Sequence, residues 1–441
     1  MAYLEKRPRV LVMGGKPIGS CEIASYARSR GAYVIVADYL PEEASPAKAL
    51  ADEAWDVSTA DLETLEALCR EIGVTAVMAG VHEFNIAKAI ELCERLGIKF
   101  YCSGAQWALC NDKGAFKSLC LSHGIDVARR YDEADLEAIP FDAYPVVVKP
   151  LDGSGSRGFA KCGSPEEARA ALRTARENSL SGNVLIEEFV DADAVIVHYT
   201  AHNGKVVYSG MADKLSRKMG EDGAPVMAFQ TAPSIHEAEY LAEVDSKAVG
   251  MFESLGIEEG PLWVEAFYKS GRFVFNEMGY RFGGSMTNHM VKELCDIDQM
   301  KLLYEASIGM SSADSVARPS DGKLYAIWPT HLKPGVVASI EGLEAVKSDP
   351  CFVACAIVHE AGDEISQWGS AQQVFAYFHF AADNVDGLLG AMRRAADRLS
   401  VRDESGREML FSLFDPTRIE AFPSFLAAHP SNEERGSDDG N

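Results

Sequence analysis

The first hundred residues alternate short apolar, largely β-branched runs with stretches in which apolar residues recur at helical spacing. Arg9–Met13, Tyr33–Ala37, Thr75–Ala79 and Lys99–Cys102 read as strands, and Ile18–Arg30, Leu62–Ile72 and Asn85–Leu96 read as helices. Apolar strands joined through helices imply a parallel, doubly wound sheet with helices on both faces, a Rossmann-like unit. From Asn111 to about Met310 the pattern differs. A helix over Lys113–His123 precedes a strand over Pro145–Pro150, a Gly/Ser-rich loop, a helix over Pro165–Glu177 and a series of strands ending at Glu277. After a break at Ser311–Asp321, strands at Leu324–Trp328, Cys351–His359 and Val374–Phe380 alternate with a helix over Asn384–Ser400. The polar tail Ser431–Asn441 is expected to be disordered. The pattern thus predicts a mixture of α/β and α+β units: 1–110 Rossmann-like, 111–310 a middle domain, 311–430 an α+β domain, and an acidic tail at 431–441.

Composition sets bounds on partners. The 441 residues suffice for about three domains at ~150 residues each. Lys plus Arg number 42 against 66 Asp plus Glu, a formal charge of −24, which argues against nucleic acid or an anionic membrane as partner, since both need a positive footprint. Ten cysteines are scattered without zinc spacing, so buried free thiols in a reducing compartment are expected. The N-terminus lacks a signal-peptide core and no segment is long enough to span a bilayer, which points to a cytoplasmic protein.

Two glycine-bearing strand ends carry candidate chemistry. Gly14-Gly15-Lys16-Pro17-Ile18-Gly19, with Asp38 ending the next strand, sits where a dinucleotide fingerprint would, but the glycine spacing is wrong and turn glycines are needed there whatever binds. Tyr144–Lys149 is a β-branched strand ending in a lysine, followed by Gly153, Ser154, Gly155, Ser156 and Gly158. A glycine-rich loop behind a strand-end ammonium can wrap backbone N–H groups around a phosphate, whereas a hairpin with a solvated lysine is the plain alternative. Lys113 starts a helix with Asp112 as its cap. Farther on, two β-runs joined by Lys269-Ser270-Gly271-Arg272 can place Glu265 opposite Glu277. Carboxylates ~4 Å apart repel by about 4 kcal/mol at an effective dielectric of 20, so such a pair wants a cation, and Mg²⁺ shared with phosphates fits. Arg281, ahead of Gly283-Gly284, adds a fork for an anion.

This ordered set resembles the ATP-grasp superfamily from Arg9 to about Met310, in the L-amino-acid-ligase-like and carboxylase-like branches, with Arg9–Cys102 similar to its pre-ATP-grasp domain. The His331–Gly335 turn gives the third region a weaker likeness to the C-terminal domain of those branches. The resemblance implies that Lys113 and Lys149 hold ATP phosphates, that Gly153–Gly158 closes over them, and that Glu187, Glu188, Phe189 and Val190 form the hinge that receives adenine. It implies a two-lobed ATP-grasp domain over 111–310, Glu265 and Glu277 as ligands of Mg²⁺, with Mn²⁺ as a substitute, and Arg281 and Lys149 as the catalytic residues, with Arg281 steadying the acyl phosphate. His82, Glu83, Arg281 and Gly284 are the expected substrate contacts. Glu83 could otherwise simply start a helix. Two positions depart from the family pattern: Gly279 stands where an asparagine usually follows the second glutamate, and Ala194 where a ribose-binding glutamate is usual, with Asp191 and Asp193 nearby. The implied activity is ADP-forming ligation of a small carboxylate to an amine or other nucleophile, in a chain that could be a homodimer. The alternatives are a bicarbonate-activating, carboxylase-like reaction, or nucleotide binding without catalysis.

Overall fold

The structure, a computed structural model, describes residues 7–414 except 152–157, 180, 193, 220–224, 311–321 and 367–370. Gly153, Ser154, Gly155, Ser156, Asp193, the break at Ser311–Asp321 and the tail Ser431–Asn441 therefore lie outside the described residues.

The first region contains β1 (Arg9–Met13), α1 (Glu22–Ser29), β2 (Tyr33–Ala37), β3 (Glu53–Trp55), α2 (Leu62–Ile72), β4 (Ala76–Ala79), α3 (Glu83–Leu96) and α4 (Gly104–Asn111). Its strands form a parallel sheet in the order β3-β2-β1-β4. Alternate residues feed opposite faces. Val10, Val12, Val34 and Val36 pack with Ile23 and Ala27 of α1, while Leu11, Met13 and Ile35 pack with Leu65 of α2 and Ala89 of α3. The sheet is doubly wound as the pattern implied. The predicted helix at Ile18 starts only at Glu22, because Gly19 adopts φ 81° where its Cα approaches Gly80, and a Cβ there would lie 3.0 Å from the Gly80 Cα.

Lys99–Cys102 is not a strand, which corrects the expectation from its apolar run. Tyr101 donates its hydroxyl hydrogen bond to the Tyr280 carbonyl at 2.9 Å and Tyr280 donates to the Tyr101 carbonyl at 3.1 Å. These reciprocal side-chain bonds pin the segment to the middle region in place of a sheet ladder. The converse miss is β3, three residues long and opening on a glutamate, too short for a period-2 signal.

The middle region begins with α5 (Lys113–Ser122), β5 (Arg130–Tyr131), β6 (Val146–Pro150), β7 (Ala160–Cys162), α6 (Pro165–Glu177) and β8 (Val184–Glu188). The strands form an antiparallel sheet ordered β5-β8-β6-β7, with α6 packed on β6 and β7. It continues through β9 (Ala194–His202), β10 (Lys205–Lys218), β11 (Pro225–Ala232), α7 (Glu237–Glu243), α8 (Asp245–Ser254), β12 (Gly260–Lys269), β13 (Arg272–Gly279), α9 (Asn288–Cys295) and α10 (Gln299–Ser307). The remainder holds β14 (Leu324–Leu332), β15 (Gly335–Glu341), α11 (Leu343–Lys347), β16 (Phe352–Ile357), β17 (Glu364–Ile365), β18 (Val374–Ala382), α12 (Val385–Arg398), β19 (Ser400–Asp403) and β20 (Leu410–Phe411).

One large sheet runs β13-β12-β9-β10-β11-β14-β18-β16, so the C-terminal strands extend the middle sheet through β11 and β14. Fully buried Phe375, Phe378 and Phe380 on β18, with α12 laid over them, give this end its own apolar core. All ten cysteines are unpaired. Among the described residues no helix is long and apolar enough to cross a membrane.

Candidate nucleotide and metal site

A cavity of about 620 Å³ is lined from α5, from β6 and β8, from the β12–β13 hairpin and from the start of α3. Its size suits a ligand with the bulk of a nucleotide. Each wall contributes charge for a local reason. Asp112 accepts a hydrogen bond from the Ala115 amide at 2.7 Å and so caps α5, which sets Lys113 at the helix mouth. Lys149 sits at the end of β6, whose Val146 and Val148 are fully buried and hold the strand in register with β8. Glu265 and Glu277 are directly paired across β12 and β13, the juxtaposition expected of this hairpin, although the turn alone would set Glu265 opposite Asn276.

The hairpin is not regular. Glu265 pairs with Glu277 while Ala266 pairs with Phe275, so Asn276 is an extra residue in β13. A bulge of this kind sets two residues opposite one and lets both face the same side. Glu265, Asn276 and Glu277 consequently all line the cavity.

The charged groups interlock. The Lys149 ammonium lies 2.9 Å from one Glu187 oxygen and donates to the Asn276 amide oxygen at 3.1 Å. The Asn276 amide N–H donates to Glu265 at 2.9 Å, and Lys214 of β10 pairs with the other Glu265 oxygen. Glu277 has the Lys113 ammonium at 3.8 Å. Lys117, one turn after Lys113, pairs with Glu187 from behind. Burial pushes the Lys117 ammonium down to about 8, and the nearby Lys149 pushes in the same direction against the pull of Glu187. Burial works to raise the Glu187 carboxyl, yet Lys149 and Lys117 outweigh it and hold it below its ordinary range. Glu265 follows the same logic, with Lys214 and Asn276 overcoming burial.

At the far end, Arg281 donates to Glu83 at 2.8 Å and to the Phe282 carbonyl at 3.0 Å, and its guanidinium lies 5.1 Å from the Trp263 ring centre. Its buried Nε has no protein partner. The structure therefore brings Glu83, Lys113, Lys149, Glu187–Val190, Glu265, Glu277 and Arg281 onto one cavity wall or another. His82, Gly158 and Gly284 are not on that lining, and Gly284 is exposed. His82 is nevertheless held neutral by burial and by Arg281 and Lys16. The Glu187 side chain is turned inward onto the two lysines, while Phe189 and Val190 line the cavity.

Four side chains went unnoticed in the sequence: Lys117, Lys214, Trp263 and Asn276. Lys117 carried a signal, since it lies four residues after Lys113 on one helix face. Asn276 carried none, because strict alternation would turn it away from Glu277.

The donor set suits a hard divalent cation. Two carboxylates and an amide oxygen face a cavity in which lysines stand ready for phosphate, and Mg²⁺ takes one or two carboxylates plus substrate phosphates. No group of three or more His, Cys, Asp or Glu side chains that could cage a metal occurs among the described residues.

Residues 142–289 match the family described as the ATP-grasp domain. The formate-dependent phosphoribosylglycinamide formyltransferase of Vibrio vulnificus is 26% identical over 291 residues, covering 64% of this chain and 71% of its own. Dapdiamide A synthase of Enterobacter agglomerans is 26% identical over 168 residues, 37% of this chain and 39% of its own. Among solved structures, the L-amino acid ligase of Bacillus licheniformis superposes with a TM-score of 0.72 at 18% identity, covering 90% of this chain and 100% of that one. The biotin carboxylase domain of the Hydrogenobacter thermophilus 2-oxoglutarate carboxylase, solved with MgADP and bicarbonate, gives 0.75 at 17% identity and covers 92% of each. With the ordered lysines, the glutamate hairpin and the matched segment all falling on one cavity, residues 142–289 form an ATP-grasp domain.

Proposed function

We propose that this protein is an ADP-forming ligase that joins a small carboxylate to an amine or a related nucleophile through an acyl phosphate. The observation that carries the reading is the gathering of Lys113, Lys149, Glu265 and Glu277 on the lining of one nucleotide-sized cavity. In this reading Lys113 and Lys149 hold the β- and γ-phosphates, and Phe189 and Val190 receive the adenine. Glu265 and Glu277 would hold Mg²⁺, which when bound neutralises phosphate charge.

A substrate carboxylate oxygen attacks the γ-phosphorus, the bond from that phosphorus to the β,γ-bridging oxygen breaks, and ADP leaves with the electron pair. The amine then attacks the acyl carbon, loses a proton, and inorganic phosphate departs. Arg281, on the cavity lining, orients the carboxylate, while Glu83 and the Trp263 ring fix its guanidinium. Phosphoryl transfer is largely positioning plus charge neutralisation, and these residues supply both. The relatives support the choice of bond, since dapdiamide A synthase and L-amino acid ligase are named for ligations of this kind.

The test is substrate-dependent nucleotide release with panels of amino acids, small carboxylates and amines, with and without bicarbonate. ADP and phosphate appearing one for one with a ligated product is expected. Release of AMP would overturn the acyl-phosphate route, and an absolute need for bicarbonate would move the protein to carboxylation.

A further inference from the structure

The hairpin bulge has a consequence for the metal site, and it rests on the functional reading above. We propose that Asn276 is the third protein oxygen donor to the divalent cation, working beside Glu265 and Glu277 in place of any group from position 279.

Position 279 is closed by its neighbour. Gly279 pairs across the strands with Trp263, and a Cβ on it would lie 2.4 Å from the indole ring. No side chain fits there while Trp263 stands over Arg281. The next candidate donor along β13 is supplied by irregularity instead. The extra residue between the Phe275 and Glu277 pairings turns Asn276 to the face shared by the two glutamates, where its amide bridges the lysine and the carboxylate. The Asn276 amide N–H is committed to Glu265, which fixes the plane of the group. Its carbonyl oxygen is held by Lys149, an ammonium that a nucleotide phosphate would attract. Once a phosphate takes Lys149, the amide oxygen is left facing the same side as both carboxylates. An amide oxygen is a hard donor of the class that Mg²⁺ and Mn²⁺ accept. The arrangement also links phosphate arrival to completion of the cation site, so metal and nucleotide bind more tightly together than apart.

The experiment measures Mn²⁺ bound to the full chain by the loss of its free electron paramagnetic resonance signal, with and without ADP. ADP affinity is measured separately in EDTA. Wild-type protein is compared with Asn276→Ala and Asn276→Asp. Loss of the donor is expected to weaken Mn²⁺ by about tenfold in the ADP complex of Asn276→Ala, the lower end of the effect seen when groups supporting a metal are removed. ADP affinity in EDTA should stay within about twofold, which also shows an intact fold. Asn276→Asp keeps an oxygen but loses the N–H to Glu265, so it should bind Mn²⁺ at least as well as wild type. Unchanged Mn²⁺ affinity in Asn276→Ala overturns the proposal, and weakening in both variants reduces Asn276 to a support for Glu265. Failure of the wild type to bind ADP at all overturns the functional reading and this inference with it. ADP binding with normal Mn²⁺ binding by Asn276→Ala overturns the inference alone.

Discussion

Two strand ends in this protein carry the same kind of sequence signal, glycines and a charged residue after an apolar run, and the fold treats them in opposite ways. At the first, the Asp38 carboxylate that follows β2 accepts a hydrogen bond from the Gly15 amide on one oxygen and from the Leu40 amide on the other, each at 2.8 Å. Lys48, buried beneath, donates to the carbonyls of Asp38 and Leu40 and pairs with Asp56. The whole set is 94% or more buried at Asp38 and Lys48. Its partners all come from residues 15–56, and both carboxylate oxygens already have backbone donors. At the second, Lys149 meets Glu187 and Asn276 from distant segments, and the group faces a cavity. Charge satisfied by its own turn is structural. Charge assembled from remote elements around a void is what a ligand completes.

Variants at the two places should separate cleanly. The largest effect is expected in the cavity, where Lys149→Ala or Glu277→Gln lowers turnover by about 10²–10³-fold, the scale for losing one preorganised electrostatic contact. Circular dichroism and thermal melting should show both variants folded. Retained turnover in either would break the contrast.

A pH effect follows at intermediate size. Lys117 titrates near 8 in the folded chain against 10.5 when unfolded, so between those values the unfolded state holds the proton more firmly. Stability should therefore rise as pH climbs from about 8 toward 10.5, by up to ~3 kcal/mol at 1.36 kcal/mol per unit, and the rise should vanish in Lys117→Met. Glu187 acts with the same sign on the acid side: its lowered carboxyl contributes stability above the ordinary carboxylate range, lost as pH falls through the folded value. Chemical denaturation across the range checks both signs.

The smallest effect on function belongs to the first strand end. Asp38→Ala leaves two backbone N–H groups without their acceptor and should cost about 2 kcal/mol of stability. ADP affinity should remain within about twofold of wild type, a difference of ~0.4 kcal/mol. A variant that folds normally but loses nucleotide would mean that this turn is part of the binding site after all.

Much of this was legible in the residues. The alternation of apolar strands and amphipathic helices announced β1, β2, α2, β4 and α3 because each is long enough to show its period. The hairpin that brings Glu265 and Glu277 together followed from the turn between them, although that turn alone would set Glu265 opposite Asn276 and the bulge shifts the register by one. What could not be read was decided by contacts distant in sequence. Lys99–Cys102 looks like a strand until Tyr280 claims Tyr101. Glu83 looks like a helix-start acid until Arg281, 198 residues later, pairs with it. Asn276 is invisible because a bulge changes the face of a strand without changing its composition. The departure at Gly279 was visible as a letter, but its reason, the Trp263 ring over that spot, exists only in three dimensions.

The central claim is that charges drawn from α5, β6 and the β12–β13 hairpin form one phosphate-and-metal site. Calorimetric titration of MgADP into wild-type protein and into Lys149→Ala tests it most directly. Saturable binding at one nucleotide per chain, weakened by about tenfold or more in the variant, is the predicted result, a loss of ~1.4 kcal/mol. Equal affinity in the two proteins, or no saturable binding by the wild type, would contradict it.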